Sequence, residues 1–291
     1  LMTDYKEKFE KMRIAGRLAA NTLDMLTKNI KEGVNGLQIG AGVTLNQVAN
    51  HPLIIKNYTA ISEAASSVAG GTHQQYGTIG GNLCLDTRCL FYNQSEWWRQ
   101  SNDYCMKERG DICHVAPGGK RCFAAFSGDV APAMLVYQAE VELLGPNGPR
   151  RIPLADLYQN DGMNHLTLTP GELVSVIHIP KTLGGSPSRY EKVRIRGSID
   201  FPLAGVAVRL KMKHKKVDEI SISLTGVNPF PQIITGTDQY IGKLLTEKDL
   251  DILRDSVRKQ AKPMKTTTVA PWYRRRVIGA LARKLLQELA A

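Results

Sequence analysis

The strongest constraint on this chain is the placement of its cysteines. All five, at positions 84, 89, 105, 113 and 122, fall within one 39-residue window of a 291-residue sequence. That window lies in residues 70–126, where helical and strand periodicity fail and Gly, Asn, Cys and aromatic residues take over. Such a stretch is too long for an ordinary connection and needs a staple or a ligand to stay ordered. Disulfides explain it poorly, because the count is odd and no export signal opens the chain. Zinc fits less well than it first seems, since structural zinc sites present cysteines in pairs about two to four residues apart and the gaps here are wider. The last four, Cys89-x15-Cys105-x7-Cys113-x8-Cys122, can supply four thiolates to a cubane cluster, although not in the compact ferredoxin spacing. Thiolates suit soft iron centres, and a cluster would tie down a loop that has little apolar core. On spacing alone, the cluster stands level with zinc or with unligated buried cysteines.

Cys84 reads as a small buried residue behind a glycine turn. His114, beside Cys113, is expected not to be a ligand because four cysteines already fill the site. Tyr92, Trp97, Trp98 and Tyr104 are expected to pack over the cluster and limit water, which would tune its potential.

Hydrophobic residues at 43% and charged residues at 22% are ordinary for globular proteins, and the length suits about two domains. No apolar run approaches the roughly 18 to 20 residues of a membrane span, and no secretory segment opens the chain, so a cytoplasmic protein is expected. The first residue, Leu1 and not Met, suggests that something upstream is missing. A formal charge of +11 admits nucleic acid, an anionic surface or an acidic protein as partner. The basic clusters at 211–216 and 274–276 carry no interleaved stacking aromatics, which favours solvated faces and subunit contacts over nucleic acid.

Residues 1–32 read as helical, with Phe9, Met12, Ile14, Leu18, Leu23 and Leu26 at loosely helical spacing and Gly33 as a stop. Residues 37–42 form a short strand running into a glycine turn, Thr44 can cap the next helix, and residues 61–68 suggest another. Residues 133–144 read as a helix end followed by a strand, with a turn at 146–148. Residues 181–188 have linker composition, which places a domain boundary after Pro180. Beyond it, strands are expected at 190–196, 201–212 and 219–227 and helices at about 249–261 and 273–288. Strands first and helices after is an α+β order.

Just before the cysteines stands Tyr76-Gly-Thr-Ile-Gly-Gly-Asn-Leu83. Consecutive glycines permit positive φ and let backbone N–H groups approach a phosphate, with Thr78 and Asn82 as flanking hydrogen-bond partners. Alone, such a pair is more often a turn than a phosphate cradle. No GxGxxG opens a helix and no Walker sequence is present, so Rossmann and P-loop readings fail.

Thr78-Ile-Gly-Gly-Asn82 resembles the second flavin-contacting motif of the FAD-binding medium subunits of the xanthine dehydrogenase and carbon monoxide dehydrogenase family. Ile39-Gly-Ala-Gly-Val-Thr-Leu45, Gly128-Asp-Val-Ala-Pro-Ala133, Asp200-Phe-Pro-Leu-Ala-Gly-Val-Ala207 and Tyr273-Arg-Arg275 agree with it in order. The similarity runs from about residue 37 to the end. Ordinary members lack the cysteine loop. With Asn82-Leu-Cys-Leu-Asp-Thr-Arg-Cys89 and Asn93-Gln-Ser-Glu-Trp-Trp-Arg99, the loop is similar to that of the beta subunits of the 4-hydroxybenzoyl-CoA reductase type.

That resemblance implies an α+β fold: an N-terminally shortened FAD-binding domain over residues 1–183, with an iron-sulfur loop insertion at about 84–126, then a C-terminal domain of sheet plus helices over 184–291. It implies a 4Fe-4S cluster on Cys89, Cys105, Cys113 and Cys122, and FAD contacts at Val68, Thr78, Ile79, Gly80, Gly81, Asn82, Asp129 and Lys192. A carboxylate at Asp129 would hold a polar flavin edge, and Lys192 would stabilise negative charge on the reduced ring. It further implies a ferredoxin-like donor, a small subunit with 2Fe-2S clusters and a large molybdopterin subunit that removes a hydroxyl from an aromatic CoA thioester, in a dimer of heterotrimers. No general acid, base or nucleophile is expected in this chain. One departure stands out: the family opens with a glycine-rich loop of the type Ala-Gly-Gly-Thr-Asp that meets the FAD pyrophosphate, and this chain begins roughly where that loop ends. Ala69-Gly-Gly-Thr-His73 imitates it but directly precedes the Thr78 turn, so it is set aside as a decoy. The competing readings are a related molybdenum hydroxylase acting on another aromatic or N-heteroaromatic substrate, a flavin-free iron-sulfur scaffold, and a basic zinc module binding nucleic acid.

Overall fold

Alternation and capping account for most of the elements of this chain. The computed structural model describes Arg13 and residues 29–291. The helix expected over residues 1–32 therefore lies almost wholly outside the described residues, and its last part is a strand: β1 (Ile30–Gly33) pairs with β2 (Gly36–Gly40) in a tight antiparallel hairpin. Gly36, at φ +132, makes that turn possible, because a Cβ there would stand 2.1 Å from the Ile179 carbonyl oxygen. In β2, Leu37 and Ile39 are buried and Gln38 is exposed, the period-2 pattern of a strand with one face on a core.

Short helices follow: α1 (Leu45–Asn50), α2 (Pro52–Asn57), α3 (Thr59–Ser67), α4 (Gly71–Tyr76) and α5 (Ile79–Leu83). Thr44 caps α1 in a capping box with Gln47. After the cysteine segment, which contains only α6 (Glu96–Ser101), the chain re-enters the core as α7 (Val130–Leu135), β3 (Glu140–Gly145) and β4 (Gly148–Pro153). β5 (Leu173–Pro180) then inserts between β2 and β3, giving a five-stranded sheet of order β1-β2-β5-β3-β4. All the pairings are antiparallel. Residues 181–188 are packed despite their linker composition. Leu183, Ser186 and Ser188 are buried, and the Ser188 hydroxyl accepts from the Ala60 N–H at 3.0 Å.

The second sheet contains β6 (Ser188–Val193), β7 (Ala204–Lys213), β8 (Lys216–Thr225) and β9 (Gln232–Ile233), in that order. Along β7, Ala204, Val206, Val208 and Leu210 join one core with α8 (Glu247–Gln260) and α9 (Pro271–Ala290), while Ala207 joins the core of the first sheet. The strand is buried on both faces, which explains its unbroken apolar run. Among the described residues no helix is long and apolar enough to cross a membrane.

Each basic cluster has one residue held by partners. Lys211 reaches Asp218 at 3.0 Å and Glu219 at 3.1 Å, and Arg274 is buried with its guanidinium on the Leu203, Met264 and Gly226 carbonyls. Thr246 caps α8 in a box with Asp249. Thr246→Ala should therefore lower stability by about 1 kcal/mol, measured as a lower urea midpoint with an unchanged slope.

Candidate functional site

The cysteine segment leaves the core and returns to it through a narrow neck. Arg88 and Ala125 exchange two backbone hydrogen bonds, each of 2.8 Å, which close the two ends of the excursion on each other. From there the loop is tied outward at a few points. Leu90 N–H donates to the Thr266 carbonyl at 2.8 Å, Gly162 N–H to the Cys122 carbonyl at 2.9 Å, and Cys122 N–H to Asp161 Oδ1 at 3.2 Å. Its apolar core is small: Cys89, Cys122 and Ala124, with Phe91, Tyr92, Met106 and Val115 against them.

Inside the loop, Cys89, Cys105, Cys113 and Cys122 are all buried and line one enclosed cavity. Burial pushes the Cys122 thiol up to about 11 and raises Cys89 as well. The thiols also feel one another: negative charge on Cys113 and Cys105 raises Cys89, and charge on Cys113 and Cys89 raises Cys122. Opposing this, N–H groups of Phe91 and Tyr92 donate to the Cys89 sulfur, and Ala124 N–H donates to Cys122 Sγ at 3.4 Å. Sulfurs that accept backbone hydrogen bonds are prepared to carry charge, and a bound metal deprotonates them outright. Among the described residues no group of three or more His, Cys, Asp or Glu is arranged to hold one ion. A single tetrahedral zinc would need all four sulfurs within about 3.8 Å of one another. By the chemistry of the donor set, the four thiols lining one cavity are of the kind that a polynuclear iron-sulfur cluster takes.

The aromatic lid differs from the expectation. Tyr92 lines the cavity, but Trp97 is 74% exposed and Tyr104 turns outward to Glu96, its hydroxyl donating at 2.9 Å. Phe91, not singled out in the sequence, takes their place, with its ring 5.4 Å from His114 and 6.2 Å from Trp98. His114 itself lines the cavity, with Nε2 bonded to the Tyr104 carbonyl. Cys84 stands apart, packed against the first core, its thiol pushed up to about 11 by burial.

Beside the loop lies a cleft of about 660 Å³. Val68 and Ala69, which follow α3, form one wall, and Asn82 and Asp129 another; Ile199, Asp200 and Phe201 reach in from the second half of the chain. Asn82 is fixed by accepting from the Val130 N–H at 3.1 Å. The glycine turn works from behind. Thr78 caps α5 by accepting from Gly81 N–H at 3.1 Å, and Gly80 lies so close to the β2 turn that a Cβ would stand 2.8 Å from Ala41 Cβ. Ile79 is fully buried. Of the eight expected flavin contacts, Val68, Asn82 and Asp129 line the cleft, whereas Thr78, Ile79, Gly80 and Gly81 shape the turn that presents Asn82.

Lys192 also stands behind the wall. Its Nζ donates to Asp129 Oδ2 at 3.0 Å and to the Asp200 carbonyl at 3.2 Å, and the Tyr190 hydroxyl donates to Asp129 Oδ1 at 2.6 Å. Both side chains of the ion pair are 4% exposed. Burial pushes the Asp129 carboxyl up and the Lys192 ammonium down, and their mutual attraction opposes both shifts. The lysine thus neutralises a buried carboxylate in place of facing the cleft freely. Sequence reasoning missed Thr72 and His73 on α4, in the segment set aside as a decoy, and Tyr190. Ile199 was also missed, although the neighbouring motif beginning at Asp200 was the available signal.

The cleft and the cysteine cavity are neighbours. A smaller cavity between them shares Ser127, Asp200 and Phe201 with the cleft and Cys89 with the thiol site. The Arg88 guanidinium lies 3.9 Å over the Phe201 ring and partitions the two.

The family described as the FAD binding domain in molybdopterin dehydrogenase matches residues 7–182, and the CO dehydrogenase flavoprotein C-terminal domain matches residues 188–289. The chain is 35% identical over 187 residues to the aldehyde oxidoreductase FAD-binding subunit PaoB of Escherichia coli K12, across 59% of this chain and 57% of that relative's length. It is 23% identical over 262 residues to the glyceraldehyde dehydrogenase medium chain of Sulfolobus acidocaldarius, covering 90% of this chain and 78% of that one. Its fold is similar to that of a chain in the crystal structure of the Cu,Mo-CO dehydrogenase, with a TM-score of 0.70 at 24% identity over 90% of this chain and 78% of that one. Quinoline 2-oxidoreductase from Pseudomonas putida 86 gives a TM-score of 0.68 at 16% identity, over 90% and 77% of the two chains.

Proposed function

Because this chain belongs to the family of FAD-binding domains of molybdopterin dehydrogenases, we propose that it is the electron-transfer subunit of a molybdenum enzyme of the 4-hydroxybenzoyl-CoA reductase type. In this reading Cys89, Cys105, Cys113 and Cys122 hold a 4Fe-4S cluster and the neighbouring cleft holds the flavin of FAD. The observation that carries it is the joint placement of four buried thiols around one cavity and of that cavity behind the Arg88 and Phe201 partition of the cleft. Bound there, a cluster and a flavin supply one-electron and one-or-two-electron exchange. The chain's own residues place the two groups and keep water away: Val68, Asn82 and Asp129 form the flavin wall, the turn from Thr78 to Gly81 presents it, and Lys192 holds Asp129. The expected partners are a ferredoxin-like donor, a small 2Fe-2S subunit and a large molybdopterin subunit that carries the substrate chemistry, in a dimer of heterotrimers.

A second reading, oxidation of an aldehyde by the assembled enzyme, is favoured by the 35% identity to the aldehyde oxidoreductase subunit. It uses the same two sites in this chain and differs in the large subunit. The test is an absorption spectrum of the purified complex with metal and flavin quantified. For each copy of this chain, about four iron atoms beyond those of the small subunit's 2Fe-2S clusters, and about one flavin, are expected. Zinc in place of iron overturns the cluster, and iron with no flavin favours a scaffold. Bleaching of the spectrum by aldehydes, with no electron transfer to an aromatic CoA thioester, favours the second reading.

A further inference from the structure

Lys107 lies between two of the four cysteines in sequence and on the wall of their cavity in space. Its side chain is only 6% exposed. The Nζ donates to Asp86 Oδ1 and to Thr87 Oγ1, both at 2.6 Å, and approaches the Thr87 and Gly162 carbonyls at 3.1 and 3.2 Å. The Thr87 hydroxyl in turn donates a hydrogen bond to the Gly162 carbonyl, and the Gly162 N–H donates to the Cys122 carbonyl at 2.9 Å. On its open side the ammonium lies 4.6 Å from the centre of the Tyr92 ring, which also lines the cavity. Among the described residues lining that cavity it is the only Lys or Arg.

Burying an ammonium is costly unless something repays it. The counter-ion repays only part, because the Asp86 side chain is 56% exposed and water screens its charge. The remainder of its charge is left to act on the cavity that Lys107 lines together with the four cysteines. Net charge and hydrogen bonding around a cluster are what set its potential.

We propose that Lys107 is the positioning residue that sets the reduction potential of the four-cysteine centre, its buried ammonium offsetting the negative charge that the centre gains with one electron. The proposal rests on the cluster assignment above. In the step concerned one electron enters, no bond forms or breaks and no proton moves, so the charge of the site falls by one. A mere structural clamp on Thr87 and Gly162 would hold the loop without moving that potential.

The experiment is a dithionite titration of the purified complex, followed by electron paramagnetic resonance of the reduced centre. In Lys107→Gln with iron retained, the ratio of reduced to oxidised centre at a fixed potential should fall about tenfold, equivalent to about 59 mV for a one-electron couple. Lys107→Arg, which keeps the charge, should stay near the wild type. Asp86→Asn, which removes the opposing carboxylate, should move the potential upward by a smaller amount. An iron-loaded Lys107→Gln protein with the wild-type potential overturns the proposal. Should that variant lose its iron, an Asp86→Asn protein whose potential stays still or falls overturns it instead. Wild-type complex with no iron beyond that of the 2Fe-2S clusters sinks the cluster assignment itself, and iron analysis shows this before any variant is compared.

Discussion

Cys113→Ser should lower the iron of the purified complex by about four atoms for each copy of this chain, whereas Cys84→Ser should leave iron content unchanged. The four loop cysteines share one cavity, where burial raises the Cys89 and Cys122 thiols, while Cys84 packs against the first core among apolar neighbours. In the proposed reading, losing one sulfur removes a ligand from a set of four. The consequence should extend beyond the metal count, because the excursion buries few apolar side chains of its own. Where a loop is ordered by its ligand, metal-binding free energy is folding free energy. Limited proteolysis should then cut Cys113→Ser within residues 90–121 while both sheets survive, since the Arg88 and Ala125 neck joins the loop to the rest by backbone bonds that need no metal. Equal iron in the two variants, or equal protease resistance, would count against the loop being a cluster site.

The second large effect is expected at Asp129. Replacing it with Ala leaves the Lys192 ammonium and the Tyr190 hydroxyl buried without their shared acceptor. Breaking a buried ion pair on one side costs about 3–5 kcal/mol, mostly from the charge left behind. Urea unfolding should show that loss, and flavin should be lost with it because Asp129 lines the cleft. Lys192→Met makes a contrasting case, because the carboxylic acid can take up a proton. Burial already raises Asp129, and Lys192 is the strongest influence pulling it back down. Without the lysine the folded-state pKa rises further above the ordinary 3.8. A group raised on folding contributes its stability below the unfolded pKa and loses it as pH rises through the folded value. Relative to the wild type, Lys192→Met should therefore be least impaired in acid and increasingly impaired toward neutral pH. A penalty independent of pH would mean that Asp129 does not titrate there.

The elements most legible from the residues are those decided locally. The strand at 37–40 follows from alternation of Leu37 and Ile39 about Gln38, α1 from the Thr44 cap, and the order of strands before helices in the second half from periodicity alone. Residues 30–33 failed for a comparable reason in reverse. Their polar composition carries no period, and it is pairing with β2 that makes them a strand. The linker composition of 181–188 likewise says nothing of the neighbours that bury Leu183 and Ser188.

At the candidate site, residue identity indicated the chemistry, and only the fold indicated the direction in which each group points. Lys192 and Asp129 were both expected at the flavin, yet they are 63 positions apart and nothing local shows that they neutralise each other. Trp97 and Phe91 are equally apolar in the sequence; one faces water and the other the thiols. By itself the sequence determined that one segment gathers every cysteine, that consecutive glycines stand just before it at a turn, and that the chain is long enough for about two domains. The tertiary structure alone decided that four of those thiols line one cavity, that this cavity adjoins the cleft, and that Lys107 is buried on the cavity wall. The reason is physical: side-chain types and spacings are local properties of the chain, whereas burial, ion pairing and adjacency arise from contacts between segments that loop closure brings together.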